Sequence, residues 1–458
     1  MPTSVNPATG EAIADHTLHT AAEIDAALRD AVTAQEAWRE TPLPVRTALL
    51  TRIASVLREG VDEYAQVITA EMGKPITEAR AEILKSAKTL DHYAENAARY
   101  LAFEEIPSDA AESGVVFDPL GVILAIMPWN YPFWQFFRFA APALAAGNGA
   151  ILKHAANVSG SALLIQRIME DAGTPRGLFS ALIIEPSEVR GLIEDPRIAA
   201  VTLTGSTEVG AIVASQAGGA LKKQVLELGG SDPFIVAADA DLDAASTVAV
   251  SSRFNTTGQS CVNAKRFIVD QAVADEFVEL FATKAAALVV GDPTAEDTQI
   301  GPMAREGLRL HLHDQVERTV RAGATVVLGG RVPDGPGFFY PPTILDHVPP
   351  ESAAFTEETF GPVASVTRVS GMDEAIRYAN DSDYGLGATL FTRDVETARR
   401  AARRIDAGAV FINGQVASDP RLPFGGIKRS GYGRELSGFG IREFVNIKTI
   451  WIGPVSDR

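Results

Sequence analysis

The sequence predicts an α/β protein built from two sheet-and-helix units, with a helical segment before them and a small β element at the end. Three observations carry that expectation. From about residue 115 onward, short β-rich runs alternate with helical stretches, the pattern of a parallel sheet covered by helices. The alternation comes as two series, the second beginning near Pro233. At 458 residues the chain is also too long for one hydrophobic core.

Apolar residues recur at Ile24, Leu28, Ala31 and Trp38, with polar Gln35 interrupting, and this spacing predicts an amphipathic helix over 22–38. Helical patterns also cover 45–72 and 76–100, and Gly73 to Pro75 supply the break between them. The first series of strands is expected at 122–126, 150–152, 182–184 and 200–204, the second at 234–236, 267–269, 363–369, 388–391 and 409–412. The segment 444–452 reads as a terminal strand. An open edge invites aggregation, so it is expected to pair with another chain or with a distant hairpin. There are no short repeats and no low-complexity tract.

Apolar residues at 46% and charged residues at 22% match a folded globular protein. With 41 basic and 58 acidic side chains the net charge is −17, which repels phosphate backbones and anionic membranes and excludes nucleic acid as a natural partner. The first ten residues hold neither a basic stretch nor an apolar core, and the longest apolar run, near 120–129, is too short to span a bilayer. A cytoplasmic protein is expected. One cysteine excludes an intramolecular disulfide framework and any metal site built from several thiolates. His311 and His313 stand two apart on a charged helical stretch, so they occupy different faces. A solvated face is expected there, and no metal site is assigned.

The single cysteine, Cys261, is either a buried small residue or a reactive thiol. It follows Asn255-Thr-Thr-Gly-Gln-Ser in a glycine-containing turn that leads into a β-rich run, a setting in which backbone N–H groups or a nearby cation raise the thiolate fraction. A thiolate adding to a carbonyl needs donors aimed at the new oxyanion. Asn130, in Met127-Pro-Trp-Asn-Tyr-Pro132 after a buried strand, is either such a donor or a turn residue between two prolines. Hydrolysis of a thioester needs a base. Glu227, in an apolar run just before Gly229 and Gly230, is either that base with a pKa raised by burial or half of a structural ion pair.

Taken together, Pro128-Trp-Asn130, Glu227-Leu-Gly-Gly230, Gly258-Gln-Ser-Cys261 and Glu358-Thr-Phe-Gly-Pro362 resemble, in order and spacing, the aldehyde dehydrogenase superfamily. Pro423-Phe-Gly-Gly-Ile-Lys428 extends the resemblance nearly to the C-terminus. Within it, Leu152-Lys-His-Ala155 and Gly229-Gly-Ser-Asp-Pro-Phe234 look most like bacterial succinate-semialdehyde dehydrogenases. The resemblance implies a Rossmann-type cofactor domain over 1–100 and 120–229, a catalytic domain over 230–430, and an oligomerisation element over 101–119 and 431–458 in a homodimer or homotetramer. It implies Cys261 as nucleophile, Asn130 and the Cys261 N–H as oxyanion donors, and Glu227 as the base that releases a free acid rather than passing the acyl group to coenzyme A.

No Gly-x-Gly-x-x-Gly run follows any strand, so the usual dinucleotide fingerprint is absent. The strand-to-helix turn at Gly205 and Ser206 matches the family's nucleotide turn, where backbone N–H groups can hold a pyrophosphate. By the same resemblance Lys153 lies at the adenosine ribose, and Trp129, Glu358 and Phe360 hold the nicotinamide end. Relatives strict for NAD often carry a glutamate where this chain has Ala156. Without that repulsion, and with Lys153 and His154 nearby, NADP is favoured while NAD stays open. Arg138, eight positions after Asn130, matches the carboxylate-binding arginine of the semialdehyde enzymes and suits bidentate recognition. A second arginine of the better-known members is replaced by Asn255, and Arg253, two residues away, points elsewhere on a helix. Ser418 and Arg421 are further candidates for the far end of the substrate. A dehydrogenase of another aliphatic or aromatic aldehyde, a non-redox thiol esterase and an inactive binding protein are the competing readings. A cysteine-histidine hydrolase would need a histidine beside Cys261, and retention of Cys261, Glu227 and Asn130 argues against lost activity.

Overall fold

The computed structural model describes residues 1–454. The first helix, Ala21–Arg39, starts on a capping box in which Glu23 N–H donates to Thr20 Oγ1 at 3.3 Å and Thr20 N–H donates to the Glu23 carboxylate at 2.7 Å. Gln35, the polar interruption in its apolar stripe, faces inward and donates to the Gly147 carbonyl, 3.0 Å away. The stretch expected as one helix over 45–72 is two, Leu43–Glu59 and Val61–Met72, broken at Gly60. A Cβ at Gly60 would stand 2.1 Å from the Tyr64 ring, so a side chain there would displace that ring. The long helix Ile76–Tyr100 buries Ile76, Ala79, Ile83, Ala87, Leu90, Tyr93 and Ala97 along one face.

Two sheets organise the rest. The first runs in the order Gly431–Tyr432, Lys223–Glu227, Ile198–Thr204, Val122–Met127, Gly149–His154, Phe179–Ala181, parallel except at the Gly431–Tyr432 edge. The second runs Thr325–Leu328, Thr343–Asp346, Val363–Val369, Ala264–Asp270, Asp232–Val236, Gly387–Phe391, Ala409–Ile412, parallel except at Thr325–Leu328. Apolar clusters pack both faces of each sheet. The strand expected at 182–184 is instead Phe179–Ala181. Leu182 and Ile184 are buried all the same, so their apolar character reports packing rather than strand pairing.

The terminal strand, Val445–Ile452, pairs antiparallel with Glu112–Pro119 of the same chain, which pairs in turn with Glu104–Glu105. Ile447 and Trp451 on it remain exposed. No described helix is long and apolar enough to cross a membrane. The last parallel strand of the first sheet ends at Glu227 and the second sheet starts at Asp232, so the carboxyl ends of Val122–Met127, Ile198–Thr204 and Lys223–Glu227 open toward the second unit. In α/β sheets that end is where ligands bind.

Candidate active site

Cys261 sits on a loop whose backbone is held from behind. After the helix Leu242–Phe254 the chain turns through Thr256, Thr257 and Gly258, all at positive φ (54°, 54° and 70°). β-Branched residues adopt this conformation only under external constraint. The constraint is visible. Buried Arg253 donates to the carbonyls of Ala264 (2.9 Å), Gly258 (2.8 Å), Thr359 (3.3 Å) and Gly361, and Asn263 Nδ2 donates to those of Arg253 and Asn255. Lys265 Nζ donates to the carbonyls of Ser260 and Cys261 at 3.0 and 2.9 Å. Arg253 is therefore spent on carbonyls and does not face substrate. A side chain at Gly258 would place its Cβ 2.3 Å from the Gly361 carbonyl oxygen, so the loop also needs that glycine.

The thiol is half-buried and stands where two cavities meet. The larger, about 640 Å³, is lined by Trp129, Asn130, Gly205, Ser206, Glu358 and Phe360 among others, and the smaller, about 200 Å³, by Lys85, Tyr131, Trp134, Arg138, Asn255, Ser418 and Phe424 among others. The larger volume is that of a cofactor-sized pocket and the smaller suits a compact substrate. The thiol is not poised as a thiolate, contrary to the expectation from its turn. Burial pushes it up to about 12, against the pull of Lys265 and Arg138.

Asn130 is buried and oriented at both ends. Its Nδ2 donates to the Gln259 carbonyl at 2.9 Å, and its Oδ1 accepts from Gln135 Nε2 at 3.0 Å. The second Nδ2 hydrogen is left for the cavity it shares with Cys261. Glu227 is buried, and neither of its oxygens has a hydrogen-bond partner. Burial and the neighbouring Glu435 carboxylate push it up to about 8, while Arg138 and Arg434 pull it back. Its carboxylate lines neither cavity, although its neighbours Thr204, Leu228 and Gly229 line the larger one.

In the larger cavity the indole of Trp129 meets the Phe360 ring edge-on at 5.7 Å. Glu358 accepts from the Gly230 N–H at 3.0 Å and faces Lys265 at 3.5 Å. A Cβ at Gly229 would lie 2.5 Å from the Glu358 carboxylate, so this wall admits only glycine. Ser206 caps the helix Thr207–Gly219 by accepting from the Val209 N–H at 3.4 Å, leaving the first turn's N–H groups open to an anion. These donors, an apolar ring pair and a carboxylate fit a dinucleotide. Lys153 is half-buried at the end of its strand with Glu185 nearby, and Ala156 is exposed on the turn that follows. His154 corrects one expectation. It is buried against the Pro132 carbonyl at 2.9 Å and pushed down to about 4 by burial, so it is neutral and turned away from any ribose phosphate. His311 is exposed yet lines the larger cavity, whereas His313 contacts the Tyr340 hydroxyl.

In the smaller cavity Arg138 is buried and paired, Nε to Glu435 at 2.5 Å, with Nη2 donating to Thr204 Oγ1 at 3.3 Å and its guanidinium over the Phe424 ring. Ser418 lines the cavity and accepts from Lys85. Arg421 does not join them: it is exposed, grips Asp419 through Nε (2.8 Å) and Nη2 (2.6 Å), and lines neither cavity. Asn255 lines the cavity but brings no charge. Lys85 and Glu435 were not legible in the sequence, the first hidden in an amphipathic helix and the second 297 positions after its partner (435 − 138). Among the described residues no cluster of three or more His, Cys, Asp or Glu side chains is arranged to hold a metal ion.

A lone thiol at the meeting point of a dinucleotide-sized cavity and a small cation-lined one is the layout of a nucleotide-using oxidoreductase. The chain belongs to the aldehyde dehydrogenase family, which it matches over residues 2–450. It is 51% identical over 448 residues to the succinate semialdehyde dehydrogenase [NAD(P)+] of Escherichia coli K12, covering 98% of this chain and 97% of that protein. It is 50% identical over 454 residues to a succinate-semialdehyde dehydrogenase [NADP(+)] of Mycobacterium tuberculosis H37Rv, covering 98% and 99%. The crystal structure of succinic semialdehyde dehydrogenase from Streptococcus pyogenes with NADP+ superposes with a TM-score of 0.97 at 38% identity, covering 99% of this chain and all of that one.

Proposed function

We propose that the protein oxidises succinic semialdehyde to succinate with NADP+, and with NAD+ as the weaker partner. The observation that supports this most is the position of Cys261 on both cavities, because an aldehyde carbon bonded to its Sγ can face a dinucleotide while its tail stays in the smaller cavity. Sγ bonds to the carbonyl carbon, and the oxyanion takes hydrogen bonds from Asn130 Nδ2 and the Cys261 N–H, which has no backbone acceptor among the described residues. Because burial raises the thiol, its proton passes to a solvent water as the carbon–sulfur bond forms and the carbonyl electrons move onto the oxyanion. A nicotinamide dinucleotide bound in the larger cavity supplies the two-electron acceptor. Gly205 and Ser206 would hold its pyrophosphate, Glu358 a ribose, Trp129 and Phe360 the ring end, and Lys153 the adenosine ribose. Ala156 places no carboxylate against a 2′-phosphate, which supports NADP. The acyl group is then a thioester on Cys261. Glu227, rotating out of its seat beside Glu435, takes a proton from water that attacks the thioester carbon, and the thiol leaves with a proton.

The antiparallel element of Glu112–Pro119 and Val445–Ile452, with Ile447 and Trp451 exposed, is proposed as the surface that pairs subunits in a dimer or tetramer. The enzyme assignment is tested with a panel of aldehydes and both dinucleotides, followed by absorbance of the reduced nicotinamide. Succinic semialdehyde with NADP+ should give the highest kcat/KM, and Cys261→Ala should abolish turnover. Appreciable turnover by Cys261→Ala at saturating aldehyde would refute the thioester route.

A further inference from the structure

The smaller cavity holds a cation that the resemblance does not assign. Lys85, on the helix Ile76–Tyr100, lines it together with Arg138, Trp134, Ser418 and Cys261. Its Nζ donates to Ser418 Oγ at 2.7 Å and lies 4.2 Å from the centre of the Trp134 ring, a face-on seat that fixes an ammonium without neutralising it. The other cations nearby are already matched: Lys74 pairs with buried Glu82, and Arg138 pairs with buried Glu435. Among the described residues no carboxylate lies within ion-pair distance of Lys85.

We propose that Lys85 joins Ser418 in the seat for the substrate carboxylate, beside Arg138, which is tied to Glu435 through Nε and to Thr204 through Nη2. This rests on the succinic semialdehyde reading and names the groups that would make it specific. An ammonium has three donors, and one is used on Ser418, leaving two for a carboxylate. Ser418 Oγ accepts from Lys85 and so keeps its own hydrogen to donate. Charge, two N–H donors and one O–H donor thus converge in a cavity that the nucleophile also lines.

Burial and the charge of Arg138 push Lys85 down to about 8. The charged groups facing it are Arg138 from the helix Trp134–Ala146, Glu82 on its own helix, Lys74 just before that helix, and Asp419 from the loop carrying Ser418. Carboxylate recognition by Lys85 is therefore present at pH 7 and fades as the ammonium loses its proton above about pH 8.

The test compares kcat/KM for succinic semialdehyde with that for butanal, an uncharged aldehyde of equal chain length, between pH 6.5 and 9.5. The enzymes are wild type, Lys85→Met, Lys85→Arg and Ser418→Ala. The ratio of the two constants should fall about 10- to 100-fold in Lys85→Met and about fivefold in Ser418→Ala. In wild type the ratio should decline through about pH 8, and in Lys85→Arg it should persist to higher pH because a guanidinium stays charged. An unchanged ratio in Lys85→Met, including one in which both constants drop together, overturns the assignment. Should Lys85→Met fail to fold, a wild-type ratio that is flat across pH 8, or a Lys85→Arg ratio that keeps the wild-type decline, overturns it instead. A wild-type enzyme that handles butanal as well as succinic semialdehyde refutes the substrate reading, and Lys85 with it, before any substitution is made.

Discussion

Replacing Glu227 with glutamine keeps the shape of the side chain in its buried seat and removes only its capacity to accept a proton. Because burial and Glu435 hold this carboxyl at about 8, it is ionised in about a tenth of molecules at pH 7 and about nine tenths at pH 9. A hydrolytic step limited by Glu227 therefore speeds up about tenfold over that interval in wild type. The glutamine variant should lose that rise and about 100- to 10,000-fold of the hydrolytic rate, the usual contribution of a general base. Bond formation at Cys261 and the redox step do not depend on this base. Stopped-flow mixing with succinic semialdehyde and NADP+ should thus give a burst of one reduced nicotinamide per thiol, followed by a slow steady state. Stability supplies a second reading. A carboxyl whose folded pKa exceeds its ordinary value favours the folded state fully at pH below about 4.5 and loses that contribution as pH rises through about 8. The glutamine variant should therefore melt higher than wild type at pH 9, and the difference should shrink toward pH 5. A steady-state rate equal to wild type, without a burst, or an alkaline rise that survives the substitution, would refute the role of Glu227.

Arg138→Ala leaves Glu435 buried without its partner, a loss of about 3–5 kcal/mol for a broken buried pair, which thermal unfolding should report. Because Arg138 also pulls Glu227 down, hydrolysis should slow for charged and uncharged aldehydes alike; an effect confined to KM for succinic semialdehyde, with stability intact, would show that the Glu435 pair does not govern this arginine. Ala156→Glu sets a carboxylate on the exposed turn after Lys153, and the NADP+ to NAD+ ratio of kcat/KM should fall about tenfold or more. An unchanged ratio would place the 2′-phosphate elsewhere.

Much of the scaffold was legible because burial and period coincide. The spacing of Ile24, Leu28, Ala31 and Trp38 marked a helix, and even Gln35 obeyed the stripe by bonding a buried carbonyl. Where apolarity and pairing part company the reading slipped, as at Leu182 to Ile184, which are buried beyond the end of their strand. The break at Gly60 was missed because the Tyr64 ring, four residues on, packs against the glycine, and no local periodicity records that contact. Within the candidate site, Cys261 and Asn130, which share the larger cavity, and Glu227, whose carboxylate lines neither cavity, were singled out through short motifs. Ionic partners were not, since Arg138 meets Glu435 and Lys85 meets Ser418 only through the fold. The direction of the thiol shift was misread for the same reason. A loop suggests exposed N–H groups and cations, but Lys265 is occupied by the carbonyls of the loop itself and burial dominates.

The geometry also orders the two halves of the proposed reaction. Thr204, Leu228 and Gly229, which flank Glu227 across its strand and along its chain, line the larger cavity and are absent from the smaller. The Glu227 carboxylate itself lies beside Gly425, Glu435 and Arg138, and Arg138 lines the smaller cavity, so its seat borders both cavities. A nicotinamide dinucleotide in the larger cavity would be held against the wall formed by Gly229 and Glu358. The acyl group, by contrast, stays in the smaller cavity with its carboxylate anchored away from that wall. Redox transfer and hydrolysis must then occur in turn at one sulfur, and the hydrolytic half requires Glu227 to have given its proton to solvent before it can take one from water.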